Sequence, residues 1–262
     1  MPDVPVPDLP VHWFRGRDGA ELAWRSVGDG RPLVLLHGLM GSGSMLVRGG
    51  PALEFAERGY RVILPDLRGH GDSASSHDPG SYPPDVLADD GLALIDHLGL
   101  DDYELGGYSL GGKLVLRLLA RGARPAHAIV GGQGLDALDA QSDRTAGHRR
   151  SLAAVASGAS FPPGSPEEGL AGWIRQTGTD ARAVGYVLDT FVATPPDALR
   201  QVPTPTLVVA GDRDTRSATA GSLAALLPQG HLVLIPGDHV TALGAPEFTA
   251  AVLQFLGPAE PV

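Results

Sequence analysis

The stretch Gly107-Tyr108-Ser109-Leu110-Gly111-Gly112-Lys113 places a GxSxG pentapeptide between a short extended run at 103–105 and an apolar, helix-like run at 114–120. This context predicts a serine on a sharp strand-to-helix turn. The glycines fit that geometry, because the turn strains the backbone of the serine and brings strand and helix too close for side chains at the flanking positions. Ser109 would then stand above the sheet, with the first N–H groups of the helix aimed at any oxygen that becomes negative beside it. Acyl transfer is the chemistry this serves. A chain with 36 glycines can produce GxSxG by chance, so the surroundings must decide. Gly107, Gly112 and Lys113 also fit the G-x-x-x-x-G-K of a phosphate-binding loop, but Leu114 stands where that loop needs Ser or Thr to hold Mg²⁺.

A serine hydroxyl needs a base within hydrogen-bonding reach and an acid to orient that base. Nine histidines are present. Open parallel sheets carry reactive groups in loops after the carboxyl ends of their strands, and this filters the candidates. His239 follows the extended run at 232–235, in the turn Pro236-Gly237-Asp238-His239, whereas His231 precedes that run. His37 and His70 also follow strands, but each sits in a Gly-containing turn where it can bond backbone groups. His97 and His127 read as surface or helix-end residues, and His12, His77 and His148 have no motif around them. The same filter finds Gly211-Asp212-Arg213-Asp214 after the run at 206–210, so two carboxylates compete for one role. The chain order Ser109, then Asp212 or Asp214, then His239 is one known arrangement of a serine triad.

The elements that must position these groups are legible as alternating patterns. Runs at 11–17 and 21–27 flank Asp18-Gly19, a hairpin signal, so the sheet begins antiparallel. Apolar or extended runs at 32–36, 61–64, 103–105, 126–130, 206–210 and 232–235 alternate with helix-like segments at 51–58, 89–98, 114–120 and 247–256; a Gly/Ser-rich loop precedes 51–58. The expected fold is α/β, a mostly parallel central sheet with helices on both faces. The region 135–202 shows helix-like patches at 149–156, 167–176 and 181–192, separated by Gly and Pro, with no strand. It reads as a small helical lid inserted over the strand ends that carry Ser109. The expected organisation is a core of 1–134 and 203–262 with a lid of 135–202.

The 262-residue chain has 43 % hydrophobic and 19 % charged residues, the balance of a globular protein with a sizeable core. Its formal net charge of −10 argues against attraction to nucleic acid or anionic membrane surfaces. No apolar run reaches membrane-spanning length. The opening MPDVPVPDLP carries acid and proline where a secretory signal needs basic and apolar residues, and reads as a frayed tail. With no cysteine, disulfides, thiolate metal sites and a cysteine nucleophile are excluded. A cytoplasmic location is the expectation; the oligomeric state is left open.

HGLM at 37–40, DLRGHGDS at 66–73, GYSLGG at 107–112, VVAGDRD at 208–214 and GDHVTALGAPEF at 237–248 stand in order over almost the whole chain. With these segments the sequence resembles the α/β-hydrolase fold family, in particular its lid-bearing esterases, lactonases and C–C bond hydrolases. The resemblance implies Asp214, which closes G-x-x-D, as the triad acid, with Asp212 supporting the turn. It implies an oxyanion hole made by the N–H groups of Leu39 and Leu110, and no metal or organic cofactor. Relatives that open epoxides or remove halide resemble this chain around His-Gly but carry HGxP and an Asp nucleophile. Met40 and Ser109 here favour acyl chemistry.

The expected reaction is hydrolysis of a carboxylic ester or related acyl substrate through Ser109, His239 and Asp214 and an acyl-enzyme. Lactone, thioester or C–C bond cleavage by the same triad is the alternative within enzymes; a non-catalytic small-ligand-binding module is the alternative of another class. Met40, Tyr108, Trp173 and Phe191 are the candidate pocket residues. Apolar side chains of 135–202 are expected to form a small core of their own, with some roofing the serine. The expected partner is a small, apolar acyl substrate.

Overall fold

The computed structural model describes residues 7–257; most of the N-terminal stretch read as a frayed tail, residues 1–6, lies outside them. Among these residues eight strands form one sheet: β1 (His12–Arg15), β2 (Glu21–Val27), β3 (Arg31–Leu36), β4 (Tyr60–Pro65), β5 (Glu104–Tyr108), β6 (His127–Gly131), β7 (Thr206–Gly211) and β8 (Gly230–Ile235). Their spatial order is β1-β2-β4-β3-β5-β6-β7-β8. β1 and β2 pair antiparallel, β2 meets β4 antiparallel, and β4 through β8 run parallel. The first hairpin turns where expected. Gly19 has φ 85°, and the Asp18 carboxylate accepts the Ala20 N–H at 3.1 Å. β1 ends at Arg15, two residues early, because the Gly16 N–H already bonds across the turn to Ala20.

Among the described residues ten α-helices accompany the sheet: α1 (Gly43–Arg48), α2 (Ala52–Glu57), α3 (Val86–Leu98), α4 (Leu110–Ala120), α5 (Asp143–Ala156), α6 (Pro166–Thr177), α7 (Ala181–Val187), α8 (Pro196–Leu199), α9 (Ala220–Leu226) and α10 (Pro246–Leu256). Leu94 of α3, Leu114 of α4 and Leu223 of α9 share one buried cluster with Val34, Leu105 and Val208 of the sheet. Leu46 of α1, Phe55 of α2 and Phe248 of α10 share another with Leu35, Leu64 and Val209. The alternating side chains of the same strands thus feed two cores, one on each face, and each fully buried Leu or Phe contributes about 1.5–3 kcal/mol.

Three helices lie where the sequence reading placed none. α1 occupies the stretch read as a Gly/Ser-rich loop, and the short α8 and α9 were not expected. Gly43 explains the first. Its N–H donates to Asp66 Oδ1 at 2.7 Å, and a Cβ there would sit 3.1 Å from the Leu64 side chain and overlap its carbonyl, so a weak helix former is what lets α1 lie against β4. α4 begins at Leu110 and not at 114, because the glycines after Ser109 are already helical.

Residues 135–202 contain helices and 3₁₀ turns and no strand. Leu152, Ile174, Val184 and Leu188 form a third buried cluster, against which Leu39, Met40 and Phe191 pack. The segment expected to be helical at 181–192 is α7 followed by a 3₁₀ turn, Leu188–Thr190, and extended backbone at Phe191. No helix among the described residues is long and apolar enough to cross a membrane.

Candidate active site

Ser109 sits between β5 and α4 with φ 55° and ψ −114°, a backbone that an L-residue adopts only under strain. Three neighbours make the strain possible. A Cβ on Gly107 would overlap the Gly111 backbone, one on Gly111 would overlap the Leu36 carbonyl oxygen, and one on Gly112 would lie 2.8 Å from the Gly131 carbonyl oxygen. The Ser109 N–H donates to Gly131 at 2.9 Å, and the Gln133 side-chain amide donates to the Ser109 carbonyl. Strand, turn and helix are locked from both sides.

β7 and β8 deliver the other two groups through interlocked turns. Asp212 N–H donates to the Ile235 carbonyl at 2.8 Å, Arg213 N–H donates to Gly237 at 3.0 Å, and the Asp212 carboxylate accepts the Gly237 N–H at 3.0 Å. Gly211 permits this contact, since a Cβ there would overlap the Gly237 carbonyl oxygen. With Asp212 occupied by the turn, Asp214 is the carboxylate that faces the histidine. Its Oδ2 lies 2.8 Å from His239 Nδ1, and its Oδ1 accepts the Arg216 N–H at 2.8 Å. His239 Nε2 lies 2.9 Å from Ser109 Oγ. The three residues form one continuous hydrogen-bonded line from a buried carboxylate to a half-buried hydroxyl.

Leu110 opens α4, so its N–H is among the four that a helix leaves without an intrahelical partner. The backbone at Gly38 runs beside the serine; a Cβ there would be 3.4 Å from Ser109 Cβ. Leu39 follows it. Met40, next in line, has φ 60° and donates its N–H to His70 Nε2 at 3.3 Å. His37 accepts the Leu67 N–H at 3.0 Å, and its Nδ1 lies 2.8 Å from the Gly38 carbonyl. Both histidines bond backbone groups, as their Gly-containing turns implied. Burial pushes both imidazoles below their ordinary value, His70 to about 3 with repulsion from His37 adding to the effect. Each is therefore neutral.

Ser109 stands where two cavities meet. The larger, about 790 Å³, is walled by Met45, Leu46, Leu170, Trp173, Val240 and Leu243, and includes Met40 and Tyr108. The smaller, about 380 Å³, is walled by Lys113, Gln133, Asp136, Asp139, Asp143 and Thr145, with Phe191 on one side. Leu39, His148, Arg216 and His239 border both. Tyr108 is nearly enclosed: its hydroxyl donates to the His239 carbonyl at 2.8 Å and its ring packs edge-on against Phe248, so it chiefly holds the histidine turn. Trp173 is 43 % exposed at the larger cavity. Phe191 is not there; it belongs to the smaller cavity, under Lys113, whose Nζ lies 5.1 Å from its ring centre.

The polar cavity was not foreseen from sequence. Leu170 and Trp173 line only the larger of the two cavities at Ser109. Lys113 entered the sequence reading as part of a phosphate-loop pattern, and His148 as a histidine without a motif. Their neighbours come from β6 onward and from the start of α5, far apart in sequence. Lys113 Nζ donates to the carbonyls of Ala137 at 2.7 Å and Asp139 at 2.6 Å, and burial pushes its amine down to about 8.

Residues 31–148 match the family model described as alpha/beta hydrolase fold. The chain is 30 % identical to the non-heme haloperoxidase of Rhodococcus erythropolis, with 91 % of this chain aligned to 97 % of that one. Among solved structures it is similar to a hydrolase from Pseudomonas aeruginosa, with TM-score 0.75, 26 % identity and coverage of 96 % of this chain and 100 % of the other. It is also similar to a thermophilic esterase from Thermogutta terrifontis, with TM-score 0.73, 26 % identity and coverage of 94 % and 98 %.

Proposed function

Because the chain belongs to the α/β-hydrolase fold family and is a hydrolase, we propose that it cleaves carboxylic esters by moving the acyl group first to Ser109 and then to water. The observation that carries this reading is the line Asp214 Oδ2, His239 Nδ1, His239 Nε2, Ser109 Oγ, with spacings of 2.8 and 2.9 Å. Ester cleavage is also the activity named for the Thermogutta terrifontis relative.

His239 takes the hydroxyl proton as Ser109 Oγ bonds to the ester carbonyl carbon, while Asp214 holds the imidazole in the tautomer that leaves Nε2 free to accept. The carbonyl oxygen becomes an oxyanion between the N–H groups of Leu39 and Leu110, donors fixed in place before the charge develops. The C–O bond then breaks, the alcohol leaves with the proton from His239, and the acyl group stays on Ser109. Water repeats the sequence and releases the acid. In this reading residues 135–202 act as a lid, with α5 and α6 closing the cavities over the serine.

The test is acid release from a panel of ester, thioester and lactone substrates, with rapid quenching and mass measurement of the peptide containing Ser109. Acyl mass on that peptide and a loss of about three or more orders of magnitude in kcat for Ser109→Ala are expected. Full turnover by the alanine variant would remove Ser109 from the mechanism.

A further inference from the structure

The two cavities at Ser109 have opposite chemistry, and an ester has two halves. The larger is lined mainly by hydrocarbon, thioether and indole groups. The smaller mixes hydrogen-bond donors, Lys113, Gln133 and Arg216, with the acceptors Asp136, Asp139 and Asp143. Ser142 and Thr145, whose hydroxyls lie 3.0 Å apart, can do both. Among the described residues this arm carries both signs, three carboxylates and two cations, so neither an anionic nor a cationic ligand is matched on every wall. A neutral hydroxyl donates and accepts at once, and so suits walls where donors and acceptors alternate. Phe191 adds an apolar face of the kind that the C–H side of a sugar ring can cover. At about 380 Å³ the arm lies at the small end of ligand cavities.

We propose that the polar arm receives the alcohol half of the substrate, that this alcohol is a neutral polyol of glycerol to monosaccharide size, and that the apolar arm holds the acyl group. This rests on acyl transfer at Ser109. The bond broken is that between the acyl carbon and a polyol oxygen. That oxygen departs with the proton from His239, the acyl group remains on Ser109 in the apolar arm, and the vacated polar arm admits the water that completes hydrolysis. An alkyl alcohol would leave the polar walls facing hydrocarbon.

The experiment compares the intact protein on 1-octanoylglycerol, 6-O-octanoylglucose and butyl octanoate, with octyl gluconate as the reversed ester, each below its micelle-forming concentration. At least about a tenfold higher kcat/KM is expected for the two polyol esters than for butyl octanoate, a difference of ~1.4 kcal/mol. Thr145→Val and, as a second variant, Asp143→Leu should each narrow that ratio at least about threefold. Equal or greater kcat/KM for butyl octanoate, a preference for octyl gluconate, or an unchanged ratio in both variants overturns the proposal. Absence of turnover on every ester overturns it too. Labelling of Ser109 by a fluorophosphonate then shows whether acyl chemistry itself has failed or only the choice of substrate.

Discussion

His37 and His70 exchange backbone donors across two loops. His37 Nε2 accepts the N–H of Leu67, His70 Nε2 accepts the N–H of Met40, and the two rings lie 5.0 Å apart. The pair ties the segment after β3, which carries Leu39, to the long turn after β4. Tying Met40 in this way leaves the preceding peptide beside Ser109.

Both imidazoles are neutral when folded, and protonation would convert each acceptor nitrogen into a donor facing a donor. His70 titrates at about 3 in the fold against 6.5 for an ordinary histidine, so between those values the unfolded chain binds more protons. Stability therefore rises with pH through this window, is fully present above about 6.5, and is lost as the pH falls toward 3. Urea unfolding at neutral pH and near pH 5 measures the slope. His70→Gln keeps an acceptor for Met40 and should flatten it; an unchanged slope would show that His70 contributes nothing to acid sensitivity.

Asp214 and Asp212 differ in what they hold. Asp214→Asn should lower kcat for an activated ester by on the order of 10³ to 10⁴. Asp212→Asn removes the anionic acceptor for the Gly237 N–H and should act on stability, by about 1–3 kcal/mol, more than on kcat. The reverse ranking in folded variants would move the orienting role to Asp212.

Gly111 and Gly172 are both helical, yet their surroundings differ. A Cβ on Gly111 would overlap the Leu36 carbonyl oxygen, whereas at Gly172 the nearest atom is the Arg175 guanidinium at 3.9 Å. Gly111→Ala should lose ~3 kcal/mol or more. Gly172→Ala should gain about 0.5–1 kcal/mol by favouring the helix. Thermal unfolding of the pair decides it, and a mild Gly111→Ala would contradict the tight packing of α4 on β3.

Trp173 and Phe191 border different cavities, so their truncation should be felt on different halves of an ester. Trp173→Ala should change the dependence of kcat/KM on acyl length, and Phe191→Ala should change the dependence on the alcohol. Equal loss on every substrate for both variants would mean that the two rings only hold 135–202 together.

The elements and the candidate site residues were legible in the sequence because local patterns encode them. Apolar runs bounded by turn residues located β3 through β8, Asp18-Gly19 located the hairpin, and the glycines around Ser109 announced a turn with no room for side chains. Position after a strand narrowed nine histidines to His37, His70 and His239, since the loops at the carboxyl ends of parallel strands share one edge of the sheet, and the Gly-containing turns around the first two left His239 as the candidate. It could not separate Asp212 from Asp214. Both follow β7, and family resemblance favoured Asp214; the physical reason is the bond from the Gly237 N–H that claims Asp212. Helices α1 and α9 were hidden by Gly, Ser and Ala, whose weak patterns are overridden by packing on the sheet. The polar arm was hidden more deeply. Lys113, Gln133, Asp143 and Arg216 come from four separate elements or loops, and no spacing in the chain records that they converge. The sequence by itself determined which groups could react and on which edge of the sheet they would lie. Only the tertiary structure decided which carboxylate faces the histidine and what surrounds the serine, because those depend on contacts between residues distant in the chain.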